Sequence, residues 1–195
     1  MIGRVSTLAL SISLVPAATL AEIRGLDHVA LTVPDMTEAR AFFEAGLGCV
    51  HALDLGPFRD DSGTWMQDAI GTHPRAVMNI AVMQCGNASN VELMEIETPE
   101  PAEGFPRRDH VGASSLGFYV DDLAATLSDA LAAGGRQLGQ VTEVGEGPLA
   151  GRSFIYVTSP WGQQIFLMND GDDGIAFTRS DDAVNLFSPA DLPRR

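Results

Sequence analysis

Lysine is absent from this chain of 195 residues, and all twelve basic residues are arginines. Lysine Schiff-base and pyridoxal-lysine chemistry are thereby excluded, because the side-chain amine is missing. The arginines form no basic face, and the formal charge is −14. Nucleic acid is therefore not an expected partner. Cysteine is scarce, with two residues, Cys49 and Cys85. Neither lies in a His/Asn setting that marks a nucleophile. Long apolar runs are missing beyond the first 21 residues, so no membrane contact is expected once that segment is removed.

What is present describes a packed protein. Apolar residues make up 45% and aromatic residues 7% of the chain, enough for one ordinary domain or two small modules sharing a core. Residues 1–21 have the pattern of an export signal. A short positive start, MIGR, precedes an apolar run from Val5 to Val15, which is too short to span a bilayer. Pro16 breaks the run, and small residues lead to a cleavage site expected after Ala21. The expected location is secreted or periplasmic. The alternative is an N-terminal helix packed on the domain.

Two stretches of similar pattern organise the remainder. His28–Met36, HVALTVPDM, reads as a strand running into a helix start. Ser115–Leu123, SLGFYVDDL, repeats it with Ser in place of His. In the first copy, Ala39, Phe42, Phe43 and Leu47 share a helical face, and Gly46 and Gly48 close the helix. Strands are expected at 49–55, 77–83 and 91–97. Between the first two lies a long loop, 56–75, of the kind that carries function or a small helix of its own. The second copy continues with a helix through Leu123, Leu127 and Leu131, then strands at 137–144, 152–158 and 164–168, the last two joined by the turn SPWGQ. His28 aligns with Ser115, and Glu92 with Phe166. The expected organisation is a first βαβββ module at 22–97, a linker at 98–112, a second βαβββ module at 113–169 and an acidic tail at 170–195. The fold class is α+β, with two paired modules forming a cleft-shaped, eight-stranded mixed sheet.

The segments DHVALTVPDMTEARAFFEAGLG, NVELMEI, LGFYVDDL and SPWGQQIFLMN resemble the vicinal oxygen chelate superfamily of glyoxalases, bleomycin-resistance proteins and extradiol dioxygenases. The resemblance covers roughly residues 25–170. It implies a small-molecule ligand, a possible homodimer, and in many members one divalent metal held by the first and fourth strands of each module. Carried over by position, those ligands are His28, Glu92, Ser115 and Phe166. His28 and Glu92 suit Zn, Ni, Mn or Fe. Ser115 is a weak ligand, and Phe166 is none.

Three arrangements follow. A metal is held by His28, Glu92, waters and a substitute ligand, with His110 the nearest and His51 and His73 less well placed. Or His28 and Glu92 form a metal-free pair with Glu92 as general base. Or the cleft only sequesters a ligand. The first makes the protein a metal-dependent lyase or isomerase acting on a small oxygen-rich molecule, with Glu92 catalytic. The alternative is a non-catalytic binder of the bleomycin-resistance type. The missing carboxylate at position 166 argues against glyoxalase I chemistry, and the matched positions lack the two His and one carboxylate of an extradiol dioxygenase. Trp65, Arg75, Asn79 and Ser115 are candidate substrate-binding residues; loop packing is the alternative for Trp65 and Arg75. Glu95 and Glu97 are expected at the surface. The resemblance also makes the second and third strands antiparallel neighbours, so Cys49 and Cys85 either pair or remain two buried thiols.

Overall fold

The computed structural model describes residues 26–86, 89–101, 104–106, 108–147 and 149–169. The expected export signal and the acidic tail lie outside these residues. Among the described residues, no helix is long and apolar enough to cross a membrane.

The first module opens with β1 (Val29–Val33), followed by α1 (Met36–Ala41), which passes into a π-helical turn at Phe42–Gly46. Asp35 sets the helix start, its carboxylate accepting the Glu38 N–H at 2.8 Å. Glu95 adds a second acceptor, taking the Met36 N–H at 3.0 Å. It is half-buried rather than a plain surface residue, while Glu97 is exposed. The strand β2 (Val50–Phe58) runs farther than its sequence indicates, through a cis Gly56–Pro57 bond. Gly56 has φ +109°, and a Cβ there would lie 2.7 Å from the Met78 carbonyl oxygen, so the close strand crossing admits only glycine. A short helix, α2 (Trp65–Asp68), lies inside the long loop. β3 (Val77–Cys85) and β4 (Ser89–Glu97) complete the module.

The second module repeats the order as β5 (Ser115–Val120), α3 (Leu123–Ala132), β6 (Arg136–Glu143), β7 (Ser153–Thr158) and β8 (Gln164–Asn169). Asp122 caps α3 as Asp35 caps α1, accepting the Ala125 N–H at 2.9 Å. The strands form two four-stranded mixed sheets, β1-β4-β3-β2 and β5-β8-β7-β6. The register confirms the internal repeat: Ala30 faces Glu92 in one sheet, and Gly117 faces Phe166 in the other.

Alternation along the strands gives each sheet two distinct faces. Leu31, Val33, Ala81, Met83, Val91 and Leu93 point to the helices, as do Ile155, Val157, Ile165 and Leu167. These residues and both helices form one core. Packed against it and partly buried, Trp161 of the SPWGQ turn meets Phe42 edge-on at 5.7 Å and stacks near Phe43 at 6.5 Å. Gly46 brings the helical segments together: a Cβ there would stand 3.1 Å from that of Ala133. Cys49 and Cys85 are joined by a disulfide, both sulfurs in the buried core. Antiparallel pairing of Val50 with Gln84 places the two cysteines directly across from each other.

Candidate functional site

His28 and Glu92 lie on the sheet face away from the helices. His28 stands just before β1, two residues from Ala30, whose register partner is Glu92. Their side chains meet, with His28 Nε2 3.5 Å from Glu92 Oε2. The other ring nitrogen, Nδ1, lies 2.8 Å from Asp27 Oδ2. The imidazole thus bridges two carboxylates. Hydrogen bonding to Asp27 is the main cause holding its pKa above 6.5, and the Glu92 charge adds to it, while burial pulls the other way. The site is accessible, since the His28 side chain is 37% exposed and that of Glu92 20%.

Beside this pair the face is closed by the protein's own loop. Met66 of α2 is fully buried and packs with Ala76, Met78 and Ile80 against Phe58, Val82, Met94 and Ile96. Thr72 fastens the loop through its N–H and hydroxyl, both bonded to the Met66 carbonyl, at 3.1 and 3.0 Å. Asp60 fastens the other end by accepting N–H groups of Gly63 at 2.6 Å, Trp65 at 3.0 Å and Ser62 at 3.1 Å. These donors, Gly63 first, lower its pKa below 3.8.

The remaining sequence candidates are dispersed. The Arg75 guanidinium donates to the carbonyls of Asp60 and Gly63, so it is used in holding the loop. Trp65 is 46% exposed on the same loop. Asn79 stands opposite Glu95 in the register, which puts it on the helix side of the sheet and not with His28 and Glu92. Ser115 is exposed at the start of β5, on the side of Gly117 and Phe166. His51 pairs with Asp54 at 2.9 Å, and His73 accepts the Arg75 N–H at 3.0 Å. His110 is exposed in the linker. A groove of about 500 Å³ runs along α3 between Leu127, Leu131 and Val141, and its lining has no titratable group.

Sequence reasoning missed Met66 and Asp27. The apolar residue inside a polar loop was the one available signal for the first. Adjacency to His28 was the signal for the second.

As a metal site the donor set is half complete. His28 and Glu92 supply two donors, and the equivalent positions of the second module offer a hydroxyl and a phenyl ring. Among the described residues, no three His, Cys, Asp or Glu side chains come together as a metal site. The residues do not fit the four-position shell that the fold family implies.

The chain matches the model of the Glyoxalase/Bleomycin resistance protein/Dioxygenase superfamily over residues 27–156, and it belongs to that family. It is 34% identical over 143 residues to a 2-epi-5-epi-valiolone epimerase from Actinomyces sp, spanning 73% of this chain and 77% of that protein. Among solved structures, a glyoxalase family protein from Bacillus cereus superposes with a TM-score of 0.63 at 20% identity, over 78% of this chain and 98% of that one. A glyoxylase/bleomycin resistance protein/dioxygenase domain from Frankia sp. gives 0.54 at 17% identity, over 78% and 96%. At these identities the two structures speak for the fold alone.

Proposed function

We propose that this chain is an isomerase of the epimerase kind, acting on a small polyoxygenated ketone by proton transfer at Glu92. The observation that carries the reading is the Asp27–His28–Glu92 line, with contacts of 2.8 and 3.5 Å. The C–H bond beside the carbonyl breaks, its proton goes to the Glu92 carboxylate, and the electron pair moves onto the carbonyl oxygen. His28, whose pKa the two neighbouring carboxylates raise, steadies the pair and offers a proton to that oxygen. Two groups in contact stand on one side of a substrate carbon. In an epimerisation the returning proton therefore reaches the other side from water, His28 takes back the enol proton as the carbonyl reforms, and the proton on Glu92 neutralises the hydroxide left behind. The epimerase relative supports this class.

The test is exchange of the substrate's α-hydrogen in heavy water, followed by proton NMR across a panel of cyclic and open-chain hydroxyketones. Exchange that needs Glu92 and survives chelation is the expected result. No exchange with any ketone, or exchange unchanged in Glu92→Gln, would overturn it. Elemental mass spectrometry completes the test. One equivalent of Fe, Mn, Ni or Zn that disappears in His28→Ala would replace the metal-free step with a metal-dependent lyase or isomerase. The second reading, a non-catalytic small-molecule binder, is favoured by Phe166 and Ser115 at the second module's ligand positions.

Export accompanies this reading. The apolar N-terminal run and the Cys49–Cys85 disulfide both suit a secreted or periplasmic chain. N-terminal sequencing of the recovered protein, starting at Glu22, is the expected outcome; an intact Met1 would refute cleavage.

A further inference from the structure

The two modules also differ on the helix side of their sheets. The alignment of His28 with Ser115 sets Arg40 against Leu127 and Glu44 against Leu131. In the first module these positions are charged. Arg40 reaches Asp54 of β2 at 3.5 Å and Glu44 at 4.0 Å, so ion pairs bridge helix and strand. In the second module the corresponding gap between α3 and β6 is apolar. Leu127, Leu131 and Val141 line the groove of about 500 Å³, with Ser153 and Asn169 among its other walls. Leu131 and Val141 are exposed, and no charged residue lines the groove. The fold itself does not require this surface, since the first module builds the same layers with charges there. Apolar side chains left together in water mark a surface that something covers.

The groove is no part of the ligand cleft. Ser153 precedes Phe154 on β7 and Asn169 follows Met168 on β8, so both point away from the aromatic face.

The chain itself supplies the cover. Asn169 ends β8, and its Oδ1 accepts the Ser153 N–H at 2.7 Å, so the sheet releases the chain at the groove wall. Residues 170–174, DGDDG, carry no apolar side chain. Ile175, Ala176 and Phe177 follow as the first apolar residues. An extended chain advances about 3.3 Å per residue, so Ile175 can stand up to about 20 Å from Asn169. The helix wall from Leu123 to Leu131 is about 12 Å long. The tether therefore reaches the whole groove. Leu186 and Phe187 lie farther along and would close a longer loop at a higher entropic cost.

We infer that this groove is the docking site of the chain's own segment Ile175–Phe177, with the Phe177 ring lying among Leu127, Leu131 and Val141. The docked segment latches the end of the chain across α3 and β6 and hides the groove from other chains. The inference rests on no residue of the proton-transfer pair.

The experiment is limited trypsin digestion of the full chain, with cleavage after Arg179 followed by mass spectrometry. Docking of Phe177 shields that bond, because cleavage needs a locally open segment. Phe177→Ser raises the cleavage rate about tenfold, the scale of burying one aromatic side chain. Val141→Ser, at an exposed position and with circular dichroism unchanged, gives the same rise from the groove's side. Leu186→Ser/Phe187→Ser does not. Methyl NMR gives a readout free of protease. The Leu127, Leu131 and Val141 methyls show nuclear Overhauser contacts to the Phe177 ring and lose their ring-current shifts in Phe177→Ser. Equal cleavage in wild type, Phe177→Ser and Val141→Ser would overturn the proposal. So would a rise confined to Leu186→Ser/Phe187→Ser, or an absence of methyl-to-ring contacts. Contacts that fade on dilution, while light scattering shows a dimer dissociating, would give the groove to the tail of a second copy and overturn it as well.

Discussion

In the first module, the sheet face away from the helices is partly roofed by α2, with Met66 fully buried, and its β1 side, from His28 and Glu92 to the exposed Ala30 and Thr32, meets solvent. In the second module, the equivalent face carries Phe154, Tyr156 and Phe166, half-exposed, with Arg108 above them. The same strand order thus supports two unlike surfaces. The first module's extra loop supplies apolar cover and leaves an acid–base pair at the rim. The second spends aromatic residues where the first has a carboxylate. Internal repetition fixes where side chains point; it does not fix what they do once there.

The comparison breaks most visibly at Glu92. Glu92→Gln should reduce α-hydrogen exchange by about 10²- to 10⁴-fold, the usual worth of a positioned general base, with circular dichroism unchanged. The mirror substitution, Phe166→Ala, should leave exchange within a few-fold of wild type. Comparable losses from both would mean that the two faces serve a single site.

Stability should show the reverse order. Met66→Ala removes a fully buried side chain and should cost about 2–5 kcal/mol in urea unfolding. Phe166→Ala should cost less, because its ring is already part-solvated. A larger loss at Phe166 would show that the second face is as closed as the first.

Reduction tests the disulfide, which the second module lacks. Cys49 and Cys85 are 36 residues apart. Opening that bridge should destabilise the protein by about 2–4 kcal/mol, read as a fall in thermal midpoint with dithiothreitol. Cys49→Ser/Cys85→Ser should abolish this sensitivity.

The smallest effects concern pH. His28 has its pKa raised above 6.5, mainly by the Asp27 hydrogen bond. Its stabilisation is therefore complete below the unfolded value and is lost as pH rises through the folded one. Asp27→Asn should bring the His28 titration, followed by NMR, down toward 6.5; an unmoved midpoint would assign the shift to Glu92. Asp60 behaves oppositely. Its pKa is lowered, so its contribution is present above 3.8 and fades as pH falls through the folded value. Asp60→Asn should flatten that acid limb while leaving the second module's ring signals in place.

Much of this was legible along the chain. Asp35 and Asp122 mark helix starts by local capping, and the register pairs Ala30 with Glu92 and Gly117 with Phe166, as the two aligned stretches required. His28 and Glu92 could be paired through the family pattern. Asn79 could not be placed, because a strand residue has two possible sides and its register with Glu95 depends on β4. For Arg75 ligand binding and loop packing stay open along the chain, since nothing local shows that its guanidinium folds back onto the carbonyls of Asp60 and Gly63.

The sequence by itself determined the order of the main strands and helices, because caps, turns and apolar periodicity act over a few residues. The tertiary structure alone decided which outward face is covered. Met66 reaches its sheet through a loop closure, and Phe154, Tyr156 and Phe166 become one surface only when β7 and β8 pair. Those contacts join residues distant in the chain or on different strands, and no local pattern specifies them.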